Sequence, residues 1–246
     1  MKEQMHLAAQ YLAAAGISFL EKKDDDSHTN LGFNIKDASL ETHLLSKNED
    51  QLCLSYNDFS LQWKSKTGTV TFELDGATHQ EVLSWLADTS KAHLNKEYTY
   101  NLHYDLPYSI DNSYTFQLES TEDLKKLVQL RTLAQLSLEQ INSEFNKDAS
   151  IRVWPHHFDT GIFTPLVDDA ISFGLGLAIP DNLSDVHYLY ISGYKDGNSI
   201  EPSNFNTLKN GTWINKDFKG AILPATQVAK HEAVSFFKEA INQFNR

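Results

Sequence analysis

The chain has 246 residues, 41% hydrophobic and 11% aromatic, enough to bury a sizeable core, and no stretch is biased enough in Pro, Gly, Ser or charge to read as disordered. Its 33 acidic and 21 basic residues give a net charge of −12, a field that repels a phosphate backbone and excludes nucleic acid as the expected partner. The single cysteine, Cys53, excludes an intrachain disulfide and suits a reducing, cytoplasmic compartment.

At the N-terminus, Leu7, Ala8, Tyr11, Leu12 and Ala15 recur at helical spacing, which predicts an amphipathic helix packing inward. A signal peptide fits less well. Gln10 and Tyr11 interrupt the apolar run, only Lys2 supplies positive charge before it, and the charged stretch 21–26 follows at once. No run of about 18 apolar residues occurs, so no membrane-spanning segment is expected.

Residues 51–56, 59–63 and 70–74 then alternate apolar and polar side chains, with Asn57-Asp58 and Thr67-Gly68 as turns between them, the pattern of an antiparallel meander. Thr78 and Glu81 have the spacing of a capping box, so a helix with Val82, Leu83, Trp85 and Leu86 is expected to run to about residue 94. The polar, aromatic stretch 98–116 reads as a connector. Ser120 with Asp123 starts the next helix, which Leu124, Leu127, Val128, Leu138, Ile141 and Phe145 carry to about residue 146. Strand-like segments follow at 151–163, 170–179, 187–194 and 220–223, and a last helix holds Val234, Phe236, Phe237, Ile241 and Phe244.

The order helix, sheet, helix thus occurs twice. Residues 31–35 lie over 154–158 at an offset of 123, and residues 81–86 over 232–237 at an offset of 151. The difference of 28 places insertions around 195–217 of the second half. The predicted fold class is α+β, with two similar halves, 1–119 and 120–246, each an antiparallel meander with flanking helices. A seam between such halves is a frequent ligand site.

The most unusual segment is Val153-Trp154-Pro155-His156-His157-Phe158-Asp159-Thr160-Gly161. Read as extended, it puts His157 and Asp159 on one face and Trp154, His156 and Phe158 on the other. His157 and Asp159, with His156 as a third group if a turn at Pro155 breaks the alternation, are candidate ligands of a divalent metal. Asp159 is equally suited to holding the His157 imidazole in one tautomer. Asp168, Asp169, His187 and His231 are possible further ligands, although no spacing demands them. The competing reading is a structural hydrogen bond at a strand end. Trp154, Tyr188, Tyr190 and Trp213, with Tyr194, are candidate linings of an aromatic ligand pocket.

Other patterns are incomplete. Phe173-Gly174-Leu175-Gly176-Leu177 lacks the third glycine of a dinucleotide loop, His231-Glu232 lacks a second histidine at position 235, and neither a Walker motif nor a G-x-S-x-G elbow occurs.

From Trp154-Pro155-His156-His157-Phe158-Asp159 through Phe173-Gly174, the strand His187 to Tyr194, Gly211-Thr212-Trp213 and Gly220 to Pro224 to the last helix, the chain resembles an uncharacterised bacterial family. That family is a domain of unknown function with an aromatic-x-x-x-Phe-Asp strand. The resemblance implies the helix–sheet–helix architecture and no reaction, so no catalytic residue is carried over. The expected function is a small-molecule binding or structural module, monomeric or homodimeric, without a cofactor. The alternative is a metal-assisted hydrolase using His157 and Asp159, in which a metal lowers the pKa of bound water.

Overall fold

The computed structural model describes residues 1–108, 110–167 and 170–245. The chain is α+β and divides into two units, residues 1–128 with 153–156, and residues 129–152 with 157–246.

The first unit opens with α1 (Lys2–Phe19), followed by β1 (Gly32–Asn34), β2 (Ser39–Glu41), β3 (Gln51–Ser55), β4 (Ser60–Ser65), β5 (Gly68–Glu73) and α2 (His79–Leu94). The five strands pair antiparallel in sequence order. The α2 capping box forms as the spacing predicts. Thr78 Oγ1 accepts from the Glu81 amide, and the Glu81 carboxylate accepts from the Thr78 amide at 2.8 Å.

Helix α1 departs from the amphipathic expectation, because residues 4–16 are buried on every side. Its second covering is the connector after α2, where even-numbered side chains from Tyr98 to Tyr108 turn inward while odd-numbered ones face solvent. Three of those side chains anchor to the helix. The Tyr98 hydroxyl donates to the Tyr11 carbonyl at 3.1 Å, that of Tyr104 to Gln10 Oε1 at 2.7 Å, and that of Tyr108 bonds His6 Nδ1. Gly16 is required for close approach, since a Cβ there would lie 2.6 Å from the His28 carbonyl oxygen.

Helix α3 (Thr121–Glu144) carries Ser120 as its cap, whose Oγ accepts from the Asp123 amide at 3.1 Å. After it come β6 (Arg152–Trp154), β7 (Asp159–Pro165), β8 (Ile171–Ala178), β9 (Tyr188–Lys195), β10 (Asn198–Ser199), β11 (Thr212–Asn215), β12 (Lys219–Pro224) and α4 (Lys230–Phe244). Six strands of the larger sheet lie wholly in the second unit, in the antiparallel order β11-β12-β9-β8-β7 with β10 on the end of β9. Their core face carries Ile162, Phe173, Leu175, Leu177, Leu189, Ile191 and Ala221. It packs with Leu138 and Ile141 of α3 and with Phe237, Ile241 and Phe244 of α4. At both helices that close a sheet, glutamate three residues into the first turn accepts from the preceding residue's amide: Glu81 from Thr78, and Glu232 from Ala229 at 2.8 Å. The offset of 151 therefore holds.

Two expectations are corrected. Residues 151–163 are not one strand, because Pro155 to Phe158 form a turn between β6 and β7. The same four-residue turn joins β1 to β2 at 35–38 and β3 to β4 at 56–59, each ending at a non-glycine residue with positive φ: Ala38 at 49°, Phe59 at 50° and Phe158 at 56°. Matching the turns puts residue 35 against 155, an offset of 120 in place of 123. The extra chain in the second unit is then 31 residues. β10 and β11 fall inside the stretch 195–217 where the insertion is expected.

A left-handed backbone costs a bulky residue about 1–2 kcal/mol, whereas burying a phenylalanine ring gains about 1.5–3 kcal/mol. Phe59 and Phe158 are 0% and 1% exposed, so burial wins at both turns.

Candidate functional site

On β7 the alternation of the strand puts Asp159, Gly161 and Phe163 on the sheet face opposite the core. Register extends this face across the neighbours. Gly161 lies opposite Gly176 of β8, which lies opposite Tyr190 of β9, and Phe163 lies opposite Gly174, which lies opposite Ser192. Two adjacent positions without side chains thus open a trough between β9 and the edge of β7.

The Tyr190 ring fills it. Its hydroxyl donates to Asp159 Oδ2 at 2.5 Å. A Cβ on Gly161 would come within 2.7 Å of that hydroxyl, and one on Gly176 would meet the Thr160 carbonyl oxygen at 2.0 Å. Of the two glycines between Phe173 and Leu177, Gly176 therefore serves close approach of β8 to β7, while a Cβ on Gly174 would meet only ordinary contacts at 3.4 Å or more.

Asp159 Oδ1 is out of contact with solvent and has no hydrogen-bond partner among the described residues. Burial raises the Asp159 pKa, against the opposing pull of the Tyr190 hydrogen bond and of the His157 and Arg131 charges. The Tyr190 phenol is pushed well above its ordinary value, by burial first and by Asp159 second, so it stays protonated and acts as the donor.

No family model matches the chain, nor does any curated protein or solved structure.

Arg131 of α3 organises the backbone beside Asp159. It is only 5% exposed, donates from Nη1 to Thr160 Oγ1 at 2.6 Å and from Nη2 to the Phe158 carbonyl at 2.9 Å, and lies 4.2 Å over the Phe158 ring. The guanidinium thus holds the residues on either side of Asp159 in sequence. Further along the same face, Phe163 is 66% exposed, with its ring 5.5 Å from that of Tyr194.

The candidates from sequence separate. Tyr188 shares the face of Tyr190, and its hydroxyl donates to Asp181 Oδ2 at 2.7 Å. Trp213 lies opposite Ala221 and Ile191, on the core face, where it packs against Phe205 and Phe244 and donates from Nε1 to the Asn206 carbonyl. It cannot share a pocket with Tyr190 on the other face of one sheet.

Trp154 and His156 belong to the first unit, with ring centroids 6.1 Å apart and His156 5.5 Å from the Tyr104 ring. His157 is exposed in the turn and His231 on α4. Asp168 and Asp169 lie outside the described residues. Among the described residues no group of three or more His, Cys, Asp or Glu side chains is placed to hold a metal ion.

The functional partners that sequence reasoning missed are Arg131, Thr160 and Gly161. Glycines recurring in a strand pattern carried the available signal, since they mark close approach of backbone or ring. Nothing local pointed to Arg131.

The first unit holds a second buried polar cluster. The Tyr11 hydroxyl bonds His79 Nδ1 at 2.7 Å, and burial lowers the His79 pKa against the opposing charge of Asp111. Both ring nitrogens of His6 are engaged, Nε2 with the Pro155 carbonyl at 2.8 Å and Nδ1 with the Tyr108 hydroxyl. A carbonyl only accepts, so Nε2 carries the proton and Tyr108 donates.

Proposed function

We propose that the protein is a cytoplasmic small-molecule-binding module whose second unit takes an uncharged polar ligand over the glycine-lined face of β7, β8 and β9, against Asp159 and Tyr190. The observation that carries this reading is Asp159 Oδ1, excluded from solvent and without a partner among the described residues while Oδ2 is held by Tyr190. A buried oxygen in that condition costs about 1–3 kcal/mol, which a ligand group supplying the missing hydrogen bond recovers.

Tyr190 already donates to Oδ2, so the group that Oδ1 lacks is a hydrogen-bond donor. Burial disfavours full charge at this position, which matches it with the N–H of an amide or the O–H of an alcohol and not with a cation. The exposed Phe163 ring with Tyr194 adds an apolar platform on the same face, giving the mixture of apolar surface and few polar groups typical of small-molecule sites.

The experiment is a thermal-shift screen of uncharged amides, alcohols and sugars on the parent protein, repeated on Tyr190→Phe and Asp159→Asn. A compound that raises the parent midpoint and leaves Asp159→Asn unmoved supports the reading. A panel that moves the parent nowhere assigns the pair to holding the fold.

A metal-assisted hydrolase at His157 and Asp159 is the second reading; it rests on their adjacency at the β6–β7 turn, with further ligands still to be supplied. It predicts divalent metal in protein prepared without chelator and its loss in His157→Ala.

A further inference from the structure

In the first unit, α2 presents Glu81, Ser84, Trp85 and Asp88 along one face, three and four residues apart. The Trp85 ring meets that of Phe72 on β5, with centroids 5.3 Å apart and planes inclined by 36°. With Asp75 to Ala77 closing one end, these residues line an open groove of about 560 Å³. Three carboxylates, Asp75, Glu81 and Asp88, rim it, and among the described residues no lysine, arginine or histidine lines it.

The carboxylates are fixed or free in different ways. Glu81 is locked in the α2 cap, where hydrogen bonds from the Thr78 backbone and then its side chain hold its pKa below the usual range. Asp75 Oδ1 accepts the Leu118 amide at 2.8 Å. Asp88 has no hydrogen bond or ion pair among the described residues, which leaves its charge for a ligand.

The type of cation follows from the layout. A hard metal ion needs several oxygens converging on one point, and among the described residues no such group exists. Here negative charge is spread around a wide groove whose wall is an indole paired with a phenyl ring. That arrangement suits a large, weakly hydrated cation resting on an aromatic face.

We propose that the Phe72–Trp85 groove is a binding site for quaternary ammonium groups. It is separate from the ligand face of the second unit and does not depend on it.

The test follows the indole N–H resonance of Trp85, assigned by its disappearance in Trp85→Phe, during titration of the full chain with choline chloride. Its neutral carbon isostere, with tert-butyl in place of trimethylammonium, serves as the control. The proposal predicts a saturable shift with a Kd on the order of 1 mM or tighter, at least about tenfold weaker binding of the isostere, and about threefold or greater weakening by Asp88→Asn. Asp88 is exposed, so that variant is expected to keep its fold. Failure of choline to shift the Trp85 resonance, equal binding of the isostere, or unchanged affinity in Asp88→Asn would each overturn it.

Discussion

The Tyr190 hydroxyl reaches Asp159 Oδ2 at 2.5 Å because the two β-strand positions beneath it, Gly161 and Gly176, carry no side chain. One phenol, one carboxyl and two glycines from three strands therefore form a single unit, and changing any of them is felt by the others.

Tyr190→Phe removes the partner of Asp159 Oδ2, so that neither carboxyl oxygen is hydrogen-bonded, and is expected to cost about 1–3 kcal/mol in urea unfolding. Gly161→Ala pushes a methyl group to within 2.7 Å of the hydroxyl and displaces it. Once the hydroxyl is gone, the alanine has less to displace. The double variant should thus lose less than the sum of the two, with a coupling of about 0.5–3 kcal/mol. Strict additivity would show that the trough does not govern the bond.

Asp159 makes stability depend on pH with a defined sign. Its folded pKa is raised, so between the ordinary aspartate value of about 3.9 and the folded value the native state holds more protons than the unfolded state. Stability consequently falls as pH rises through that window. Asp159→Asn keeps an acceptor for Tyr190 and removes the titration. The variant is expected to gain on the parent at neutral pH, with the advantage disappearing below about pH 4, measured as urea midpoints across the range.

His79 acts in the opposite direction. Its folded pKa is lowered, so the unfolded state takes up protons first as pH falls below about 6.5, and stability present above that value is lost towards the folded pKa. Urea midpoints between about pH 8 and pH 5 should decline in the parent and flatten in His79→Gln. An equal slope in both proteins would place the titrating group elsewhere.

At the β6–β7 turn, Phe158→Gly relieves the positive φ, regaining about 1–2 kcal/mol. It also removes a buried ring that Arg131 covers at 4.2 Å, a loss of about 3–5 kcal/mol. Net destabilisation of about 2 kcal/mol is expected by chemical denaturation. A stabilised variant would show that backbone strain outweighs the ring.

Much of the architecture was legible because its signals are local. The Thr78–Glu81 spacing announced α2, alternation announced β3, β4 and β9, and the paired helix–sheet–helix order announced the two sheets. The turn at Pro155 was legible only as an alternative to a continuous strand, since Phe158 occupies a left-handed conformation with none of the usual glycine or asparagine to mark it. Reading through it placed His157 and Asp159 side by side on one strand face. The burial of α1 was hidden for a different reason, because the tyrosines that cover it lie about 90–100 residues away in sequence. The Asp159–Tyr190 bond depends on register across three strands, which no local pattern encodes. Only the glycines hinted at it.

The most direct measurement is backbone amide chemical-shift mapping of the uncharged compounds that raise the thermal midpoint. Binding at the Asp159–Tyr190 face predicts perturbations centred on Asp159, Gly161, Gly176 and Tyr190, absent in Asp159→Asn. Perturbations confined to other parts of the chain, or unchanged in that variant, would contradict it.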